Sequence, residues 1–593
     1  MQVSRKGLST DMGILKNELL EKVSAEQLMT YTREVTKEVR LSGSEEEMRS
    51  FEYVEKTLSD LGYKTNLYTR KAFISLPGNS KLMVNGIAFS SSTHAMATST
   101  EEGGLTADLV YIGDENYEDT VAYEGKAVLI DGLATPGAVK QAQSKGVAAA
   151  IFVNAEYTHE MIVSTVWGNP TIEDAENYPS IAVASVTYND GLKIKELLQD
   201  EQSGTLTLET DVLREWRDIP TLIAEYTFNE ESNDFLLFSG HIDSWHYGVM
   251  DNGSANATML EVARVMSENK PEFQRNLRLA FWSGHSHGRY AGSAMYSDEN
   301  YEELYDHCVL HLNIDSVGAV NSTVLSEGNT MAETKHLIAK SVELVANEKF
   351  EGSRFGRAGD QSFWGAGVPS ALMGLSEQPA SDTPAMRAFS KLFGNGKGGG
   401  FGWWWHTTED TIDKIDPEFL KRDCQIYASI VYDICSADII PVQQSHALEE
   451  VIHVLRKYET EYDFGNMLDV TFERLHDLER KVRFIEQKVS SHEGLKNKNS
   501  INEWNKKCSR GLVQINYVDK DVFSHDSALA QPPVPSIGNV IKRDNLLNVN
   551  EHVIKTTLLR RINKINFTLR ELIQVSESVQ ESLKRSERIE SLI

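Results

Sequence analysis

Three apolar runs between residues 235 and 315 each lead into residues that can bind a metal ion or move a proton. The residues that follow the runs are His241 and Asp243, then His285 and His287, and finally Asp315. Short apolar runs of this kind predict buried parallel strands. Because open α/β sheets build their sites at the carboxyl ends of their strands, we expect these side chains to converge at one edge of a sheet.

Two further candidates lie outside those positions. Asp251 precedes a helical pattern, and His406 follows three consecutive tryptophans at 403–405. Imidazole nitrogen and carboxylate oxygen are the ligands of catalytic zinc and its first-row relatives. A lone histidine at a strand end is more often a hydrogen-bonded structural residue. The grouping of several such residues favours a metal site instead.

Five motifs, in order, resemble those of the two-zinc aminopeptidase family, which includes glutamate carboxypeptidase and the non-enzymatic transferrin receptor. They are GHIDSW at 240–245, MDNGS at 250–254, NID at 313–315, GDQSF at 359–363 and HTTEDT at 406–411. The resemblance implies that Asp251 bridges two metal ions, with His241 and Asp315 completing one site. It implies that His406 contributes to the other site and that Asp243 orients the ligands from behind.

The chain departs from the family at a pair of glutamates. In the family the first glutamate is the general base and the second binds the second metal, whereas residues 282–287 of this chain read WSGHSH. If Trp282 sets the alignment, His285 takes the base position and Ser286 the ligand position. If the Gly-Ser pair at 292–293 sets it, Ser286 and His287 take those positions. The sequence leaves both alignments open.

Imidazoles offer a chemical replacement for the missing glutamates. A divalent ion lowers the pKa of its bound water to about 7, and an imidazole with an ordinary pKa near 6.5 can accept the remaining proton. We therefore expect His285 to act as the base and His287 to be a nitrogen ligand of the second ion. With Asp243, these two histidines are the candidate catalytic residues.

The sequence thus predicts a metal-dependent hydrolase that cleaves an amide or peptide-like C–N bond of a small substrate or short peptide. The expected cofactor is one or two divalent ions per chain, zinc first, with manganese, cobalt or iron as alternatives. Two other functions remain open. One is an inactive binding or scaffold protein like the transferrin receptor, and the other is a metal-dependent non-peptidase hydrolase such as a ring-opening amidase.

Composition restricts the partners and the compartment. Lys and Arg number 59 against 87 Asp and Glu, so the net charge is −28, which argues against nucleic acid and anionic membranes. No apolar run approaches the roughly 20 residues of a membrane helix. Four scattered cysteines do not form a disulfide framework, and the first residues lack an apolar signal core. We expect a cytoplasmic protein.

The expected fold is α/β, a zinc-aminopeptidase-like mixed sheet flanked by helices, divided into three parts. Residues 1–102 and 213–442 form the discontinuous catalytic domain, in which the glycine-rich stretch 394–402 is a candidate flap. Residues 103–212, with short β-type runs, resemble an inserted protease-associated domain, and their loop 167–170 is a candidate to reach the site. Residues 443–593 carry helical spacing and resemble a dimerisation domain, so we expect a homodimer.

Overall fold

The computed structural model describes residues 5–115, 117–118, 122–201, 204–269, 273–393, 399–491, 497–547 and 550–590. The described residues contain twelve strands, which belong to one mixed sheet. Their bounds are β1 Lys64–Val84, β2 Ile87–Phe89, β3 Ser92–Thr93, β4 Leu105–Gly113, β5 Ala127–Asp131, β6 Ala149–Val153, β7 Ala182–Val186, β8 Gly204–Tyr226, β9 Phe235–His241, β10 Asn276–Trp282, β11 Cys308–Asn313 and β12 Ser370–Ala371.

Sixteen α-helices lie in the described residues. Their bounds are α1 Arg5–Glu21, α2 Ala25–Val35, α3 Glu45–Asp60, α4 Pro136–Ser144, α5 Tyr188–Glu201, α6 Ala255–Asn269, α7 Ala291–Glu299, α8 Tyr301–His307, α9 Lys335–Ala346, α10 Pro384–Phe393, α11 Pro417–Ser436, α12 Gln444–Glu461, α13 Asp469–Ser490, α14 Lys498–Tyr517, α15 Pro535–Leu547 and α16 Glu551–Glu590.

Strand β9 is the centre of the part of the sheet that carries the candidate site. It pairs in parallel with β10 on one side and with β11 on the other. All seven residues of β9 are buried, and its side chains alternate between two cores: Leu236 and Phe238 face one, whereas Phe235 and Leu237 face the other. This burial on both faces explains why the strand reads as an unbroken apolar run.

The three parallel strands deliver their carboxyl ends to one edge of the sheet. Trp282 at the end of β10 lies level with His241 at the end of β9, and Asn313 of β11 pairs with Ser239. The residues that follow these strands therefore start from neighbouring positions, as the sequence predicts.

Two long antiparallel strands, β1 and β8, run beyond this region and connect it to the strands of residues 103–212, which are called the inserted segment below. They pair from Lys64 with Glu225 to Val84 with Leu206. Near Tyr226, β8 pairs with β10. Near Gly204, β8 pairs with β4, which is the first of the four parallel strands β4, β5, β6 and β7. The predicted boundary at residue 212 thus falls inside a continuous strand.

The C-terminal helices form a separate core. The two predicted helices are observed as α13 and α16, and their apolar stripes are buried against each other within one chain. Helices α12, α14 and α15 belong to the same part and were not predicted individually. Arg510 of α14 joins this part to the sheet by hydrogen bonds to the carbonyl oxygens of Leu304, Tyr305, Cys308 and Gly367.

The cysteines and the hydropathy of the helices can be compared with the expectations from composition. All four cysteines are buried and free. Within the described residues, no helix combines the length and the apolar character needed to cross a bilayer. The cytoplasmic location stays a prediction.

Candidate metal centre

His241, the last residue of β9, presents one ring nitrogen to two carboxylates. Its Nδ1 donates a hydrogen bond to the main-chain oxygen of Asp243 at 2.9 Å. Its Nε2 lies 3.2 Å from Asp251 Oδ1 and 3.6 Å from Asp315 Oδ2. With the proton on Nδ1, the neutral ring directs a lone pair at two acceptors. A buried arrangement of this kind needs positive charge, either a proton on Nε2 or a cation between the ring and the carboxylates.

The second oxygen of Asp251 meets a second imidazole with the same pattern. Asp251 Oδ2 lies 3.0 Å from Nε2 of His406, whose Nδ1 donates to the main-chain oxygen of Glu160 at 2.7 Å. One carboxylate therefore lies between two histidine rings and offers one oxygen to each. This is the arrangement expected of a carboxylate that bridges two metal positions.

The shifted pKa values of these groups indicate the same demand for positive charge. Burial alone would lower the pKa of His241, but the carboxylates of Asp243, Asp251 and Asp315 outweigh it and raise that pKa well above its usual value. Burial alone would raise the pKa of Asp251, but His241 and His406 outweigh it and hold that pKa far below its usual range. The donors fit a divalent cation, and a proton competes with it for His241.

Asp410 supports Asp251 from behind through the backbone. The N–H groups of Met250 and Asp251 donate to its two carboxylate oxygens at 2.9 and 3.0 Å. Burial raises the pKa of Asp410 to about 7, although these two donors favour its charged form. The two hydrogen bonds fix the turn at Val249–Ser254 that carries Asp251.

Asp243 connects the loop after β9 to the loop after β10. Its carboxylate accepts hydrogen bonds from the N–H of Ser286 at 2.8 Å, the N–H of His285 at 3.3 Å and the hydroxyl of Ser42 at 2.7 Å. It also lies 3.5 Å from Nδ1 of His241. Asp243 therefore lies beside His241 and fixes the backbone that presents His285, and its role in orienting metal ligands stays a prediction.

His285 lies directly against His241. The two rings stack with centroids 3.7 Å apart and an angle of 12° between their planes. Within the described residues, His241, His285 and Asp315 are the one group that brings three possible ligand atoms within 4.8 Å of one another. Nδ1 of His285 lies 2.8 Å from Asp360 Oδ2, and the other oxygen of Asp360 accepts a hydrogen bond from Ser293.

His287 lies on the other side of Asp243 from this group. Its Nδ1 is 2.9 Å from the hydroxyl of Ser42 and 3.8 Å from Asp243 Oδ2, and its ring packs against Trp245. Burial lowers the pKa of His287, so the ring is neutral at neutral pH. Its Nε2 has no hydrogen-bond partner among the described residues. His287 is predicted as a ligand of the second ion, to which Asp251 and His406 would also contribute, and that role stays a prediction.

Two aromatic side chains, Tyr290 and Trp167, lie beside His285 and form what is called the aromatic wall below. Tyr290 meets the His285 ring edge-on at 4.8 Å, and Trp167 packs against Tyr290 at 4.3 Å. The indole N–H of Trp167 donates to Ser362 at 2.9 Å, and the guanidinium of Arg357 lies 3.8 Å above the indole ring. Trp167 belongs to the inserted segment, so the predicted loop does reach this site.

The three tryptophans before His406 differ in how deeply they are buried. Trp404 and Trp405 are buried in the main core, whereas Trp403 is 39% exposed and stacks on Tyr157 of the inserted segment. Residues 394–398 of the predicted flap lie outside the described residues.

Four residues near the site were not predicted as functional. Asp360 and Asp410 stand in motifs that carry the family resemblance, so those motifs held a signal for both. His246 lies in the loop after β9, and Glu160 lies in the inserted segment. Nothing in the spacing of Glu160 links it to residues so far away in the chain; only the folded structure brings it to His406.

Known proteins resemble this chain in sequence and in fold. Residues 221–431 match the model of Peptidase family M28, and that range contains the four ligand candidates His241, Asp251, Asp315 and His406. Aminopeptidase YwaD of Bacillus subtilis is 25% identical over 348 residues, which are 56% of this chain and 68% of YwaD. Probable glutamate carboxypeptidase VP8 of Zea mays is 30% identical over 112 residues, which are 18% of this chain and only 15% of that relative.

Solved structures share the fold. An aminopeptidase from Aneurinibacillus sp. strain AM-1 superposes with a TM-score of 0.54 at 21% identity, over 71% of this chain and 96% of that chain. BSAP, a zinc aminopeptidase from Bacillus subtilis, gives a TM-score of 0.53 at 20% identity, over 70% of this chain and 96% of that chain. The α/β part of the chain is therefore an aminopeptidase-like mixed sheet with flanking helices.

Proposed function

We propose that the chain, whose residues 221–431 match the model of Peptidase family M28, is a metal-dependent hydrolase that cleaves an amide or peptide-like C–N bond of a small substrate or short peptide. One observation carries the proposal. The carboxylate of Asp251 lies between Nε2 of His241 and Nε2 of His406, and in both rings Nδ1–H donates a hydrogen bond to a main-chain carbonyl oxygen.

The donors fit zinc best among the divalent ions. Imidazole nitrogen with carboxylate oxygen is the ligand set of catalytic zinc, and manganese, cobalt and iron accept the same atoms. His241, Asp251 and Asp315 would hold one ion, and Asp251 and His406 would contribute to a second. A divalent ion bound there supplies a water molecule of lowered pKa and polarises the substrate carbonyl.

We assign proton transfer to His285. Its Nδ1 is engaged by the carboxylate of Asp360, so the neutral ring carries its lone pair on Nε2. Nε2 can accept the proton of the attacking water and return it to the leaving amine. Asp360 holds the ring orientation and favours the imidazolium that forms, and Ser293 fixes Asp360 in turn.

The aromatic wall gives the substrate its orientation. Trp167 and Tyr290 lie beside His285, and together they can exclude bulk water from one side of the scissile bond. Because Trp167 comes from the inserted segment, we propose that residues 103–212 act as a protease-associated type of domain that shapes access to the site.

Metal content and turnover together test the proposed function. We expect purified protein to contain bound divalent metal and to hydrolyse members of a panel of aminoacyl amides, dipeptides and cyclic amides. His241→Ala should lose metal and turnover together. Protein that folds stably, binds no metal and cleaves nothing in the panel would overturn the proposal. Turnover confined to the cyclic amides would identify a ring-opening amidase.

One observation favours a different function, that of a binding or scaffold protein. Both glutamates of the family pair are absent, and residues 285–287 read HSH in their place. A scaffold needs no proton acceptor, so His285→Ala should then change neither metal content nor any measured property except local stability. A loss of turnover in His285→Ala, with metal retained, excludes the scaffold.

We also propose that the C-terminal helices mediate a homodimer, as the family resemblance implies. The apolar stripes of α13 and α16 are already buried within one chain, so a dimer would have to use other faces of these helices. Sedimentation velocity over a range of concentrations measures the oligomeric state directly. A single species of 66.5 kDa at all concentrations would contradict the dimer.

A further inference from the structure

The loop of the inserted segment that carries Trp167 is docked closely on helix α7. The N–H of Gly168 donates to the main-chain oxygen of Arg289 at 2.7 Å, just before α7 begins. Gly168 has a φ of +66°, and a Cβ atom at this position would lie 2.7 Å from Cβ of Ala294 in α7. Glycine therefore permits the close approach. The approach places the buried indole of Trp167 beside Tyr290 and Ala294.

A row of hydrogen bonds leads from this indole to the carboxylate that holds His285. The indole N–H of Trp167 donates to the hydroxyl of Ser362 at 2.9 Å, and that hydroxyl lies 2.9 Å from the hydroxyl of Ser293. Ser293 donates to Asp360 Oδ1 at 2.8 Å, and Asp360 Oδ2 lies 2.8 Å from Nδ1 of His285. The side chains of Trp167, Ser362, Ser293 and Asp360 are called the relay below. All four residues are at most 4% exposed.

The chemistry of these groups fixes the direction of every hydrogen bond in the relay. An indole N–H can only donate, and a carboxylate can only accept. The hydroxyl of Ser293 has a second acceptor within reach, the main-chain oxygen of Tyr290 at 3.2 Å, but the carboxylate of Asp360 is closer and charged and forms the stronger bond. Ser362 must then donate its own proton to Ser293. All the bonds point toward Asp360, and in a buried chain each donor strengthens the next.

We propose that Trp167 is a positioning residue for His285 and acts through this relay. While the inserted segment is docked, the relay holds the carboxylate of Asp360 against Nδ1 of His285 and so fixes the direction of Nε2. When the segment moves away, Ser362 loses its donor and the relay is interrupted. The inference rests on the proposed function, in which His285 moves the proton. It goes beyond control of access, because it makes the alignment of the base depend on the docking of the inserted segment.

Packing alone is the other explanation for an effect of Trp167 on turnover. Its ring lies 4.3 Å from the ring of Tyr290 and 3.8 Å from the guanidinium of Arg357, and neither contact uses the indole N–H. A substitution of Ser362 interrupts the relay and leaves both contacts in place. The two explanations therefore differ in how the effects of two substitutions combine.

A double-mutant cycle on turnover separates the two explanations. Trp167→Phe keeps an aromatic ring and removes the N–H, Ser362→Ala removes the hydroxyl, and a third variant carries both changes. Trp216→Phe, at an exposed position of β8, is the matched control. For each protein, kcat and KM are measured on the amide that the natural protein cleaves fastest. Metal content and circular dichroism are measured on the same samples.

We expect each single variant to lower kcat about five-fold, the effect of one ordinary hydrogen bond, with KM, metal content and circular dichroism unchanged. The double variant should also be about five-fold slower, because either substitution alone interrupts the relay. Trp216→Phe should turn over like the natural protein. A double variant about 25-fold slower would overturn the inference, since independent effects multiply. Single variants that keep full kcat, or that change only KM, would overturn it too.

Nuclear magnetic resonance tests the relay without turnover. In protein labelled at the indole nitrogen of tryptophan, the Trp167 signal is the one that disappears in Trp167→Phe. Its proton should exchange slowly with solvent water, and its resonance should move in Ser362→Ala because the hydrogen bond to the hydroxyl is lost. The signals of the other tryptophans should stay in place. A Trp167 proton that exchanges fast and is unaffected by Ser362→Ala would overturn the relay whatever the kinetics show.

The inference and the proposed function fail in different ways. A natural protein that binds metal and turns over, with no coupling between Trp167 and Ser362, would overturn the relay and leave the proposed function intact. A natural protein that binds no metal and hydrolyses nothing would overturn the proposed function, and with it the role of Trp167 in positioning a base.

Discussion

His241 and His406 are oriented by the same device. Each ring donates its Nδ1 proton to a main-chain carbonyl, of Asp243 in one case and of Glu160 in the other. Backbone carbonyls are fixed by the fold, so the tautomer of each ring is fixed as well. Both Nε2 atoms therefore point at Asp251 before any ion arrives. This preorganisation reduces the entropy that metal binding must overcome.

The dyad of His285 and Asp360 leads to a prediction about turnover. Loss of the imidazole in His285→Ala should lower kcat by about 10²- to 10⁴-fold, the usual contribution of a general base. Asp360→Asn should have a smaller effect, because the ring remains but loses its charged partner. Steady-state kinetics and a pH profile of kcat/KM on an amide substrate measure both effects.

His453→Ala serves as the control for these variants, since His453 is exposed on α12, far along the chain from the site. Metal content must be unchanged in Asp360→Asn for the comparison to hold. Wild-type turnover in His285→Ala would contradict the assignment of this residue.

The sequence located part of this site and missed part of it for a physical reason. Strand ends place His241 and Asp315 close together, because the parallel strands fix where the chain emerges, and the motifs single out Asp251 and His406, which the fold brings beside them. The choice between His285 and His287 depends on which way a short loop turns, and sequence does not encode that in its spacing. Glu160 depends on contact between two segments that are distant in the chain.

At the scale of elements, a single buried arginine stabilises the loop that carries Asp243 and His246. Arg40 is fully buried before α3, and its guanidinium donates to the carbonyl oxygens of Ile242, Tyr247 and Gly248 at 2.8 to 3.0 Å. Burial lowers the pKa of Arg40 to about 10, so it stays charged at neutral pH. The loop after β9 has little regular structure of its own and depends on these bonds.

We predict that Arg40→Ala lowers the free energy of unfolding by about 3 to 5 kcal/mol, because it leaves buried carbonyls without donors and removes a charge that nearby carboxylates need. Metal affinity should fall as well, since the loop carries Asp243. Urea denaturation monitored by fluorescence gives the stability change. Arg33→Ala, at an exposed position of α2, should change it by less than about 0.5 kcal/mol. An equally small change in Arg40→Ala would show that the loop holds its shape without the arginine.

At the scale of the whole molecule, three parts of the chain meet beside the site. Trp167 of the inserted segment, Tyr290 after β10 and Ala528 of the C-terminal part pack into one small cluster. The N–H of Ala528 also donates to the main-chain oxygen of Thr165. A displacement of the C-terminal helices would therefore reach the wall of the site through this cluster.

A buried glutamate lies at the interface between the α/β part and the C-terminal helices. Glu333 precedes α9, and its main-chain oxygen accepts a hydrogen bond from Gln443 at the start of α12. Burial raises the pKa of Glu333 to about 7, and the neighbouring Glu450 adds to the increase. Its folded-state pKa exceeds its unfolded value of about 4.3. The stability it contributes is complete below that value and is lost as the pH rises through 7.

Glu333→Gln should remove this dependence. Relative to the natural protein, the variant should gain stability between pH 4.5 and 7, by at most about 3 kcal/mol, since one pKa unit corresponds to about 1.4 kcal/mol. Thermal unfolding at several pH values measures the difference. Glu343→Gln, at an exposed position of α9, is the control. A difference that is independent of pH would contradict the raised pKa.

Some strands and helices of this fold could be predicted from the sequence, and others could not. Strands β9, β10 and β11 could be predicted because both of their faces are covered, so their sequences are continuous apolar runs. Helices α13 and α16 could be predicted because their apolar residues recur at helical spacing. The continuity of β1 and β8 through the inserted segment was not predictable, since their outer halves alternate exposed and buried residues and read like separate short strands.

The presence of a divalent ion at Asp251 can be measured most directly by anomalous scattering. Crystals of the zinc-loaded protein, with data collected on both sides of the zinc absorption edge, should show an anomalous peak about 2.0 to 2.2 Å from His241 Nε2 and from the carboxylates of Asp251 and Asp315. No peak at Asp251 in a folded protein crystallised with excess zinc, or a peak only at surface histidines, would contradict a metal-dependent hydrolase built on these residues.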